Sequence, residues 1–353
     1  MTQSSIALSS ASTPVFSGAT ANETWSLALG AFGDDGPSLR QPSRAGGTRE
    51  LLHAVLSIAD PRQRWIPARQ PAINPAFAIA EALWMLWGRN DAALPVFFNS
   101  VYPKFNGPGP TYRGAYGHRL RVAFGIDQLT KAASALASSN DSRQVVLQIW
   151  DGVEDLPSET GDARRPDIPC NIVSMLKVRG NRLHWTQVLR SNDLILGVPY
   201  NIVQFTMLQE VIAGWIGVDV GPYTHFSDSL HVYDRDLAKS GLPSNESASI
   251  NPDSLALPRR ESELVLGSLE ASVNRLIDPE STRTDFVSTL NPTGYPRGYG
   301  NLLAIMGAAA ARKRNWLDIS ETSAASCTNP ALGQLWDRWI RDRSVRGESV
   351  QKG

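Results

Sequence analysis

The chain has 353 residues, of which 42% are hydrophobic and 19% charged, and its 34 basic residues balance its 34 acidic ones. This length allows one large domain or two small ones with a substantial buried core. Zero net charge argues against a nucleic-acid-binding surface, which needs clustered Lys and Arg, and no apolar run approaches the roughly 18 residues of a membrane span. Because there are two cysteines and no signal-peptide pattern, we expect a cytoplasmic protein without disulfides.

The predicted elements begin after a Ser-, Thr- and Ala-rich stretch over 1–25, which is typical of a mobile tail. Helical spacing of apolar residues and β-branched runs bounded by turn residues then follow along the chain. In chain order the sequence predicts a helix over 74–89, a helix over 126–139, a strand over 143–151, two strands within 170–193 joined at Arg179-Gly180-Asn181, a helix over 201–217, a strand over 223–236, a surface loop over 242–260, and helices near 261–277, 299–312 and 330–343. Because strands and helices mix without a regular βαβ alternation, we predict an α+β fold with a mixed sheet.

The segment DIPCNIVSML places Cys170 directly after a proline, at the start of a predicted strand. Cysteine is often buried in protein cores, so an inert core residue is the more common outcome for a lone Pro-Cys pair. A cysteine is also a strong nucleophile once it is deprotonated, and because a free thiol titrates at about pH 8.5, this needs a neighbouring cation. The choice between these two roles depends on what the rest of the chain brings to Cys170.

A second segment, VLRSNDLILGVPYNIVQFTMLQE over 188–210, resembles the phosphate- and base-binding segment of thymidylate synthases. Five further stretches resemble that family in the same order and at similar spacing: AEALWMLWG, GAYGHRLR, DSRQVVLQIW, DIPCN and LHVYDRD. Together these ordered motifs, which span roughly residues 75–236, are far more specific than any one of them. The resemblance implies a mixed β-sheet with surrounding helices and a homodimer packed through its sheets. It also implies that 26–353 forms the catalytic domain, with a divergent helical part from about residue 261.

The resemblance implies folate-dependent transfer of one carbon to C5 of a pyrimidine nucleoside 5′-monophosphate. C5 of uracil is a poor nucleophile, and a thiolate that adds to C6 turns the ring into an enolate whose C5 can attack a one-carbon donor. The preferred expectation is methylation of dUMP to dTMP with 5,10-methylenetetrahydrofolate as co-substrate and no metal. Hydroxymethylation of dUMP, dCMP or CMP is the alternative, and a non-catalytic paralogue that binds nucleotide or RNA is a third hypothesis.

The resemblance also assigns an expected role to individual motif residues. Cys170 is the expected nucleophile with Arg190 beside it, Glu81 the expected proton relay, and Asn201 the expected reader of the base. The expected catalytic residues are Cys170, Glu81, Arg190, Asn201 and Tyr116; the expected nucleotide-binding residues are Arg143, Arg190, Ser191, Asn201, His231 and Tyr233; the expected folate-binding residues are Asp193, Leu196 and Tyr200.

Residue chemistry bears on three of these positions. A carboxylate such as Glu81 among Ala, Leu and Trp on a helix is costly unless it is paired or functional, and a partly exposed helix Glu is the alternative. The carboxamide of Asn201 can accept from N3–H and donate to O4 of uracil, which favours uracil over cytosine, and a helix-capping role is compatible with this. A metal site at His225, Asp228 and His231 is disfavoured, because a spacing of three along a strand alternates the faces on which side chains lie.

The chain departs from the family pattern at several positions. Gln144 stands where most synthases have a second arginine after Arg143, and Asn171 stands where they usually have His after the nucleophile. The candidates to replace the family's tryptophan over the reacting centre are Tyr102, Lys104 and Phe105, and those for the N-terminal phosphate-binding arginine are Arg44 and Arg49. The chain end RGESVQKG lacks the small apolar terminus that closes over folate in ordinary synthases. Because exclusion of water decides whether hydride or water reaches the intermediate, these departures make hydroxymethylation a serious rival to methylation.

Overall fold

The computed structural model of the protein describes residues 13–34, 36–43, 46–157, 167–240, 247–290 and 294–345, without the side chains of 238–240 and 345. Within these ranges eight strands form one sheet. The strands are β1 Val15–Gly18, β2 Leu39–Ser43, β3 Gly46–Ile58, β4 Val146–Gln148, β5 Asn171–Arg179, β6 Arg182–Leu189, β7 Asn192–Asp193 and β8 Asp219–Tyr233.

The sheet is mixed. Its main path runs β1-β3-β8-β6-β5-β4, with β2 paired to β3 and β7 paired to β8. The pairs β1–β3, β6–β8 and β7–β8 are parallel, and the pairs β2–β3, β3–β8, β4–β5 and β5–β6 are antiparallel. The predicted α+β class with a mixed sheet is therefore confirmed.

Helices surround the sheet. They are α1 Ala21–Gly30, α2 Pro75–Leu86, α3 Ala93–Phe98, α4 Pro103–Asn106, α5 Tyr116–His118, α6 Gln128–Ser138, α7 Val198–Ile216, α8 Asp234–Ser240, α9 Arg259–Ile277, α10 Arg283–Leu290, α11 Arg297–Lys313, α12 Leu317–Ala325 and α13 Pro330–Val345. A π-helical turn, Arg119–Ala123, follows α5. In the part of the chain that the structure describes, no helix is both long and apolar enough to cross a membrane.

Two helices, α2 and α7, form the centre of the core. Every residue of α2 is buried, and α7 is buried over most of its length because it packs against α2 on one side and the sheet on the other. A helix that is apolar all round is stable only in such a position. α2 begins at Asn74, whose side chain accepts a hydrogen bond from Phe77 N, and α7 ends at Gly217, which has the left-handed φ of +79° that favours glycine. A polar side chain on either helix must therefore find its partners inside the protein.

The β5–β6 hairpin positions the chemistry. Its turn residues Gly180 and Asn181 have φ of +56° and +59°, which suit a tight two-residue connection between antiparallel strands. The start of β5 therefore lies beside the end of β6. Cys170 immediately precedes β5 and Arg190 immediately follows β6, so the hairpin brings together two residues that are 20 positions apart.

The C-terminal helices pack on the core. Trp87, at the end of α2, donates a hydrogen bond from Nε1 to the Leu266 carbonyl of α9 at 3.1 Å. The Asp253 carboxylate accepts from Arg297 and Asn301 at 2.9 and 2.7 Å, and so connects the segment before α9 to α11. These contacts join the helices after residue 258 to the same hydrophobic core as α2 and α7.

Several sequence-based boundaries need correction. Residues 15–25 were predicted as tail, but Val15–Gly18 is a strand and α1 begins at Ala21; residues 1–12 lie outside the described residues. The strand predicted over 143–151 is limited to Val146–Gln148, and the one predicted to reach residue 236 ends at Tyr233, where α8 follows. Strands β2 and β3 and helices α10 and α12 were not predicted.

Candidate active site

Cys170 and Arg190 lie side by side. The Arg190 backbone N–H donates to the Cys170 carbonyl at 3.0 Å, which continues the β5–β6 ladder by one step. The Arg190 guanidinium is then held over the turn before β5: Nε donates to Pro169 O at 2.9 Å, and Nη2 approaches Cys170 Sγ at 3.8 Å. Its Cζ also lies 5.9 Å from the centre of the Trp150 ring, a cation–π contact. The predicted neighbourhood of thiol and guanidinium is therefore present in the structure.

The electrostatics of the thiol are set by two opposing effects. Burial raises the pKa of Cys170 above its ordinary value, and the positive charge of Arg190 lowers it by a smaller amount. The isolated chain therefore holds Cys170 as a thiol at neutral pH, and deprotonation requires further help from a bound substrate or a base.

A chain of three polar side chains joins α2 to α7. Asn201 donates from Nδ2 to Gln204 Oε1 at 2.9 Å, one turn further along α7. Burial raises the pKa of Glu81 to about 8, and a hydrogen bond from Gln204 to this carboxyl acts in the opposite direction. All three side chains are buried. Glu81 is thus a buried, paired carboxyl, and Gln204, which sequence reasoning missed, connects it to Asn201.

Tyr116 lies close to Cys170. Its ring stacks on Phe205 of α7 at 6.3 Å, and burial, followed by the charge of Cys170, raises the pKa of its phenol. Asn171, next in the chain after Cys170, accepts at Oδ1 from Gln187 Nε2 at 2.9 Å. Asn171 is fully buried, and a hydrogen bond from its side chain lowers the pKa of the Tyr116 phenol, against the larger effect of burial. Asn171 thus connects Tyr116 to Gln187 beside Cys170.

Ser191, Asp193, His231 and Tyr233 meet where β7 pairs with the end of β8. Register places Asp193 opposite His231, Ser191 Oγ lies 3.4 Å from His231 Nδ1, and the His231 and Tyr233 rings meet edge-on at 5.4 Å. Burial and then the charge of Asp193 raise the pKa of Tyr233. Two strands that are distant in sequence thus place all four side chains in one cluster.

Asp193 is tied into the loop before α7. Its Oδ1 accepts from the backbone N–H groups of Ile195 and Leu196, both at 2.8 Å, and burial raises its pKa. Tyr200 packs edge-on against Phe77 at 5.1 Å, and its hydroxyl accepts from Asn74 N at 3.1 Å. Leu196 and Tyr200 are both half-buried on the core. Asp193, Leu196 and Tyr200 therefore combine a carboxylate with two partly accessible apolar side chains.

Of the other predicted arginines that the structure describes, neither Arg143 nor Arg49 contacts Ser191, Asp193, His231 or Tyr233 within one chain. Arg143 is exposed before edge strand β4, with no side-chain hydrogen bond or ion pair to any described residue. Arg49 donates to Phe32 O and Asp34 Oδ1, both at 2.8 Å, which leaves it engaged near β3. Arg44 lies outside the described residues.

Of the three candidates to replace the family's tryptophan, the structure brings one into the interior. Lys104 is exposed and the Phe105 side chain is 59% exposed, whereas Tyr102 packs edge-on against both Phe77 and Tyr112. Burial, and next the charge of Glu81, raise the pKa of the Tyr102 phenol well above its ordinary value. Of the three candidates, Tyr102 is therefore the one whose side chain lies near Glu81.

The three residues considered for a metal are used separately. Burial lowers the pKa of His225 to about 3, and its ring lies between Asn192 Nδ2 at 2.9 Å and the Tyr223 hydroxyl at 3.0 Å. Asp228 pairs with His53 at 2.9 Å, and His231 faces Ser191. Across the described segments, no group of three or more His, Cys, Asp or Glu side chains is arranged to hold a metal ion.

A thiol beside a guanidinium at the end of the β5–β6 hairpin, with a buried carboxyl–amide chain between α2 and α7, is typical of a cysteine-dependent enzyme, which is the class to compare. The chain belongs to the thymidylate synthase family: the sequence profile described as "Thymidylate synthase" matches residues 70–257, more than half of its length. The matched range contains every site residue discussed above except Arg44 and Arg49.

The relatives of the chain include proteins named as hydroxymethyltransferases and proteins named as synthases. The chain is 37% identical over 204 residues to a deoxyuridylate hydroxymethyltransferase of Pseudomonas phage M6, covering 57% of each chain. It is 32% identical over 197 residues to a deoxyuridylate hydroxymethyltransferase of Bacillus phage SP01, covering 52% of this chain and 50% of that one. It is 30% identical over 217 residues to a putative thymidylate synthase of Methanothermobacter marburgensis, covering 60% of this chain and 89% of that one. The chain thus spans about half the length of the two phage relatives.

Proposed function

We propose that this protein transfers one carbon from 5,10-methylenetetrahydrofolate to C5 of dUMP through a Cys170 adduct at C6, and that its product is the 5-hydroxymethyl nucleotide. The observation that carries the proposal is the approach of Arg190 Nη2 to Cys170 Sγ at 3.8 Å, beside the buried Glu81–Gln204–Asn201 chain. The two phage relatives named deoxyuridylate hydroxymethyltransferase support this substrate and product.

Nucleotide binding is assigned to the cluster around Arg190. Arg190 and Ser191 bind the phosphate, and His231 and Tyr233 bind the ribose 3′-hydroxyl. Asn201 faces the base: since its Nδ2 already donates one hydrogen to Gln204, its second N–H meets O4 and its Oδ1 accepts from N3–H. This arrangement of donor and acceptor fits uracil.

The reaction starts with addition of the Cys170 thiolate to C6, which makes C5 nucleophilic. C5 attacks the one-carbon unit, and loss of the C5 proton with departure of the folate nitrogen gives an exocyclic methylene on the ring. Glu81, whose pKa is about 8, is protonated or nearly so at neutral pH, and can therefore supply the proton that the departing folate nitrogen needs, while Gln204 holds its carboxyl in place. Tyr116 holds the space between Cys170 and α7 and adds a hydroxyl to this network.

The folate is assigned to the entrance formed by Asp193, Leu196 and Tyr200. With Asp193 Oδ1 engaged by two backbone N–H groups, Oδ2 is the oxygen that can accept from a pterin N–H. The apolar faces of Leu196 and Tyr200 suit a planar ring. Because Cys170 must be reduced to act, we place the protein in the cytoplasm.

A homodimer is part of the proposal. Val173, Val188, Phe226 and Val55 stand directly opposite one another across β5, β6, β8 and β3, and each is half-buried in the single chain. A row of apolar side chains across four strands needs cover, and a second copy of the same sheet supplies it. Arg143, exposed beside this sheet, would then reach the nucleotide phosphate of the other subunit.

Methylation to dTMP is the second candidate, favoured by relatives named thymidylate synthase or putative thymidylate synthase. One experiment separates the two: incubation with UMP, dUMP, CMP and dCMP plus methylenetetrahydrofolate, with the product masses read directly. We expect dUMP to gain the mass of a hydroxymethyl group. Methyl product alone would favour the second candidate, and no product with any nucleotide would overturn both. A covalent complex with 5-fluoro-dUMP and folate, with its mass increase on the peptide that contains Cys170, tests the adduct independently.

A further inference from the structure

The face of α2 that carries Glu81 is covered by two tyrosines. Phe77, Glu81 and Trp84 are spaced i, i+4 and i+7, and so lie on one face of the helix. The Tyr102 ring packs edge-on against Phe77 at 5.7 Å, and the Tyr112 ring packs edge-on against Trp84 at 6.5 Å. The two tyrosine rings meet each other at 5.2 Å. Together they span the helical turn that carries the Glu81 carboxyl.

The Tyr112 hydroxyl has no partner in this arrangement. The side chain is 2% exposed, and its hydroxyl has no hydrogen bond with any described residue. Buried hydroxyl groups in folded proteins are almost always hydrogen-bonded to protein or to ordered water. An unpaired one beside the candidate active site therefore points to a bound molecule that supplies the missing partner.

A second carboxylate lies at the same place. Asp167 Oδ2 accepts a hydrogen bond from the backbone N–H of Gly114 at 3.0 Å. In the sequence, Gly114 stands midway between Tyr112 and Tyr116, and Asp167 stands three residues before Cys170. A Cβ on Gly114 would lie 2.7 Å from Asp167 Oδ1, so glycine permits this close approach. Burial raises the pKa of Asp167, and the charge of Asp167 adds to burial in raising the pKa of Tyr112. The carboxylate is thus near enough to the tyrosine to influence its ionisation.

We propose that Tyr102, Tyr112 and Asp167 form a water-binding site beside Glu81, and that the water held there adds to the exocyclic methylene of the nucleotide. The inference rests on the proposed function and specifies which residues set its product. Two hydroxyls and a carboxylate can hold one water with its oxygen directed at carbon, because a carboxylate accepts a water hydrogen while a phenol donates to the oxygen. An indole at position 102 could donate but not accept, and would hold such a water less well.

The step balances without an oxidant or reductant. The water oxygen forms a bond to the methylene carbon while the exocyclic double bond breaks, and its electrons move onto C4–O to give the enolate. Asp167 takes the proton that the water loses and later returns it to solvent. The enolate then re-forms C4=O and C5=C6, and the bond from C6 to Cys170 breaks to release the thiolate. The product carries CH₂OH at C5.

The test uses Tyr112→Phe and Asp167→Asn in the full chain with 5-tritiated dUMP and methylenetetrahydrofolate. Tritium release reports formation of the exocyclic methylene, and mass spectrometry reports its fate as hydroxymethyl, methyl or, with 2-mercaptoethanol in the buffer, thioether product. We expect tritium release within about threefold of wild type, whereas hydroxymethyl product falls by about tenfold in Tyr112→Phe and by roughly a hundredfold in Asp167→Asn. Thioether product should rise in compensation. Tyr295→Phe and Asp285→Asn, the same changes in the C-terminal helical region, should leave all readouts unchanged.

Two results would overturn the water site. One is an unchanged product ratio, and the other is a fall of hydroxymethyl product in proportion to tritium release, which a merely structural role would give. If the two variants fail to fold, Tyr102→Phe serves instead, because this side chain is only half-buried and loses a single hydroxyl. Absence of tritium release from the wild type would overturn the proposed function itself, and is distinguishable from either result.

Discussion

Gln204 decides how the two chemically important side chains beside it can behave. Its Oε1 accepts from Asn201 Nδ2 at 2.9 Å, and its amide nitrogen is left to donate to Glu81. This direction of hydrogen bonding leaves Asn201 Oδ1 as an acceptor for the base, which is the polarity that uracil N3–H needs. In the proposed complex, the charge on Glu81 at one end of this chain of side chains is therefore coupled to the recognition of the base at the other.

The buried Glu81 carboxyl predicts a pH-dependent stability. Its pKa is raised from 4.5 to about 8, so between these values the folded chain keeps a proton that the unfolded chain loses, and stability falls as pH rises toward 8. Glu81→Gln removes this titration. Between pH 5 and 8 we expect the unfolding free energy of wild type to fall, relative to that of the variant, by about 1.4 kcal/mol for each unit of pH increase. Urea unfolding at each pH measures this, with Glu263→Gln, an exposed carboxyl paired with Arg259, as control. Parallel curves for wild type and Glu81→Gln would contradict the raised pKa.

The two free cysteines allow a matched test of the nucleophile. Cys170→Ser should lower tritium release from dUMP by about a thousandfold or more, because an unactivated hydroxyl is a far weaker nucleophile than a thiolate. Binding of dUMP, measured by calorimetry, should change little. Cys327→Ser, between α12 and α13, should keep full activity. Normal turnover by Cys170→Ser, or equal losses in both variants, would remove the covalent mechanism.

Among the elements, those that carry the family motifs could be predicted from the sequence, whereas the N-terminal strands β1, β2 and β3 could not. The long strand β3 shows why: its buried residues are Thr48, Leu51, Ala54, Leu56 and Ile58, a spacing of three, three, two and two. Between Leu51 and Ala54 the alternation fails because His53 takes a left-handed φ of +59° and shifts which residues face the core. A strand interrupted in this way has no period that sequence patterns can detect.

The site shows the same division between sequence and tertiary packing. Motifs predicted Cys170, Arg190 and Asn201 as site residues, and these stay predictions. Gln204 lies one helical turn beyond Asn201, so helical spacing could have pointed to it as a partner of Asn201. Tyr112 and Asp167 were not identified, because their relation to Glu81 arises only when Tyr112 packs on Trp84 and Asp167 reaches Gly114. Contacts between segments so far apart in sequence are set by the fold as a whole.

Two helix-interior glycines give an element-scale prediction with opposite signs. A Cβ on Gly214 of α7 would lie 2.5 Å from Leu257 N and 2.7 Å from Leu257 O, whereas a Cβ on Gly267 of α9 meets nothing within 4 Å. Gly214→Ala should therefore force α7 and the segment before α9 apart and destabilise by about 1–3 kcal/mol. Gly267→Ala should stabilise by about 0.5–1 kcal/mol through helix propensity. Chemical unfolding measures the change in unfolding free energy for each variant. If both variants were stabilised, or both destabilised, the contact between Gly214 and Leu257 would not be close.

At the scale of the whole molecule, an exposed Arg143 and an incompletely covered sheet occur in the same chain. Arg190 lies beside the Cys170 thiol, whereas Arg143, which precedes edge strand β4, is exposed to solvent. The half-buried row Val173–Val188–Phe226–Val55 lies across four strands of the same sheet. One proposal accounts for both features, because packing two copies through this face covers the row and carries Arg143 toward a second subunit.

A mixing experiment tests whether the site is shared between subunits. In a heterodimer of Arg143→Ala and Cys170→Ser chains, one site combines Cys170 from the first chain with Arg143 from the second, and the other site lacks both. Random reassociation of equal amounts should restore about a quarter of wild-type tritium release, since half of the dimers are mixed and each has one complete site. Mixing Glu81→Gln with Cys170→Ser is the matched control: both residues belong to the same chain's site, so no mixed dimer regains a complete one. Restoration in the control as well as in the test, or in neither when mass spectrometry shows that heterodimers form, would mean that Arg143 does not act across the dimer.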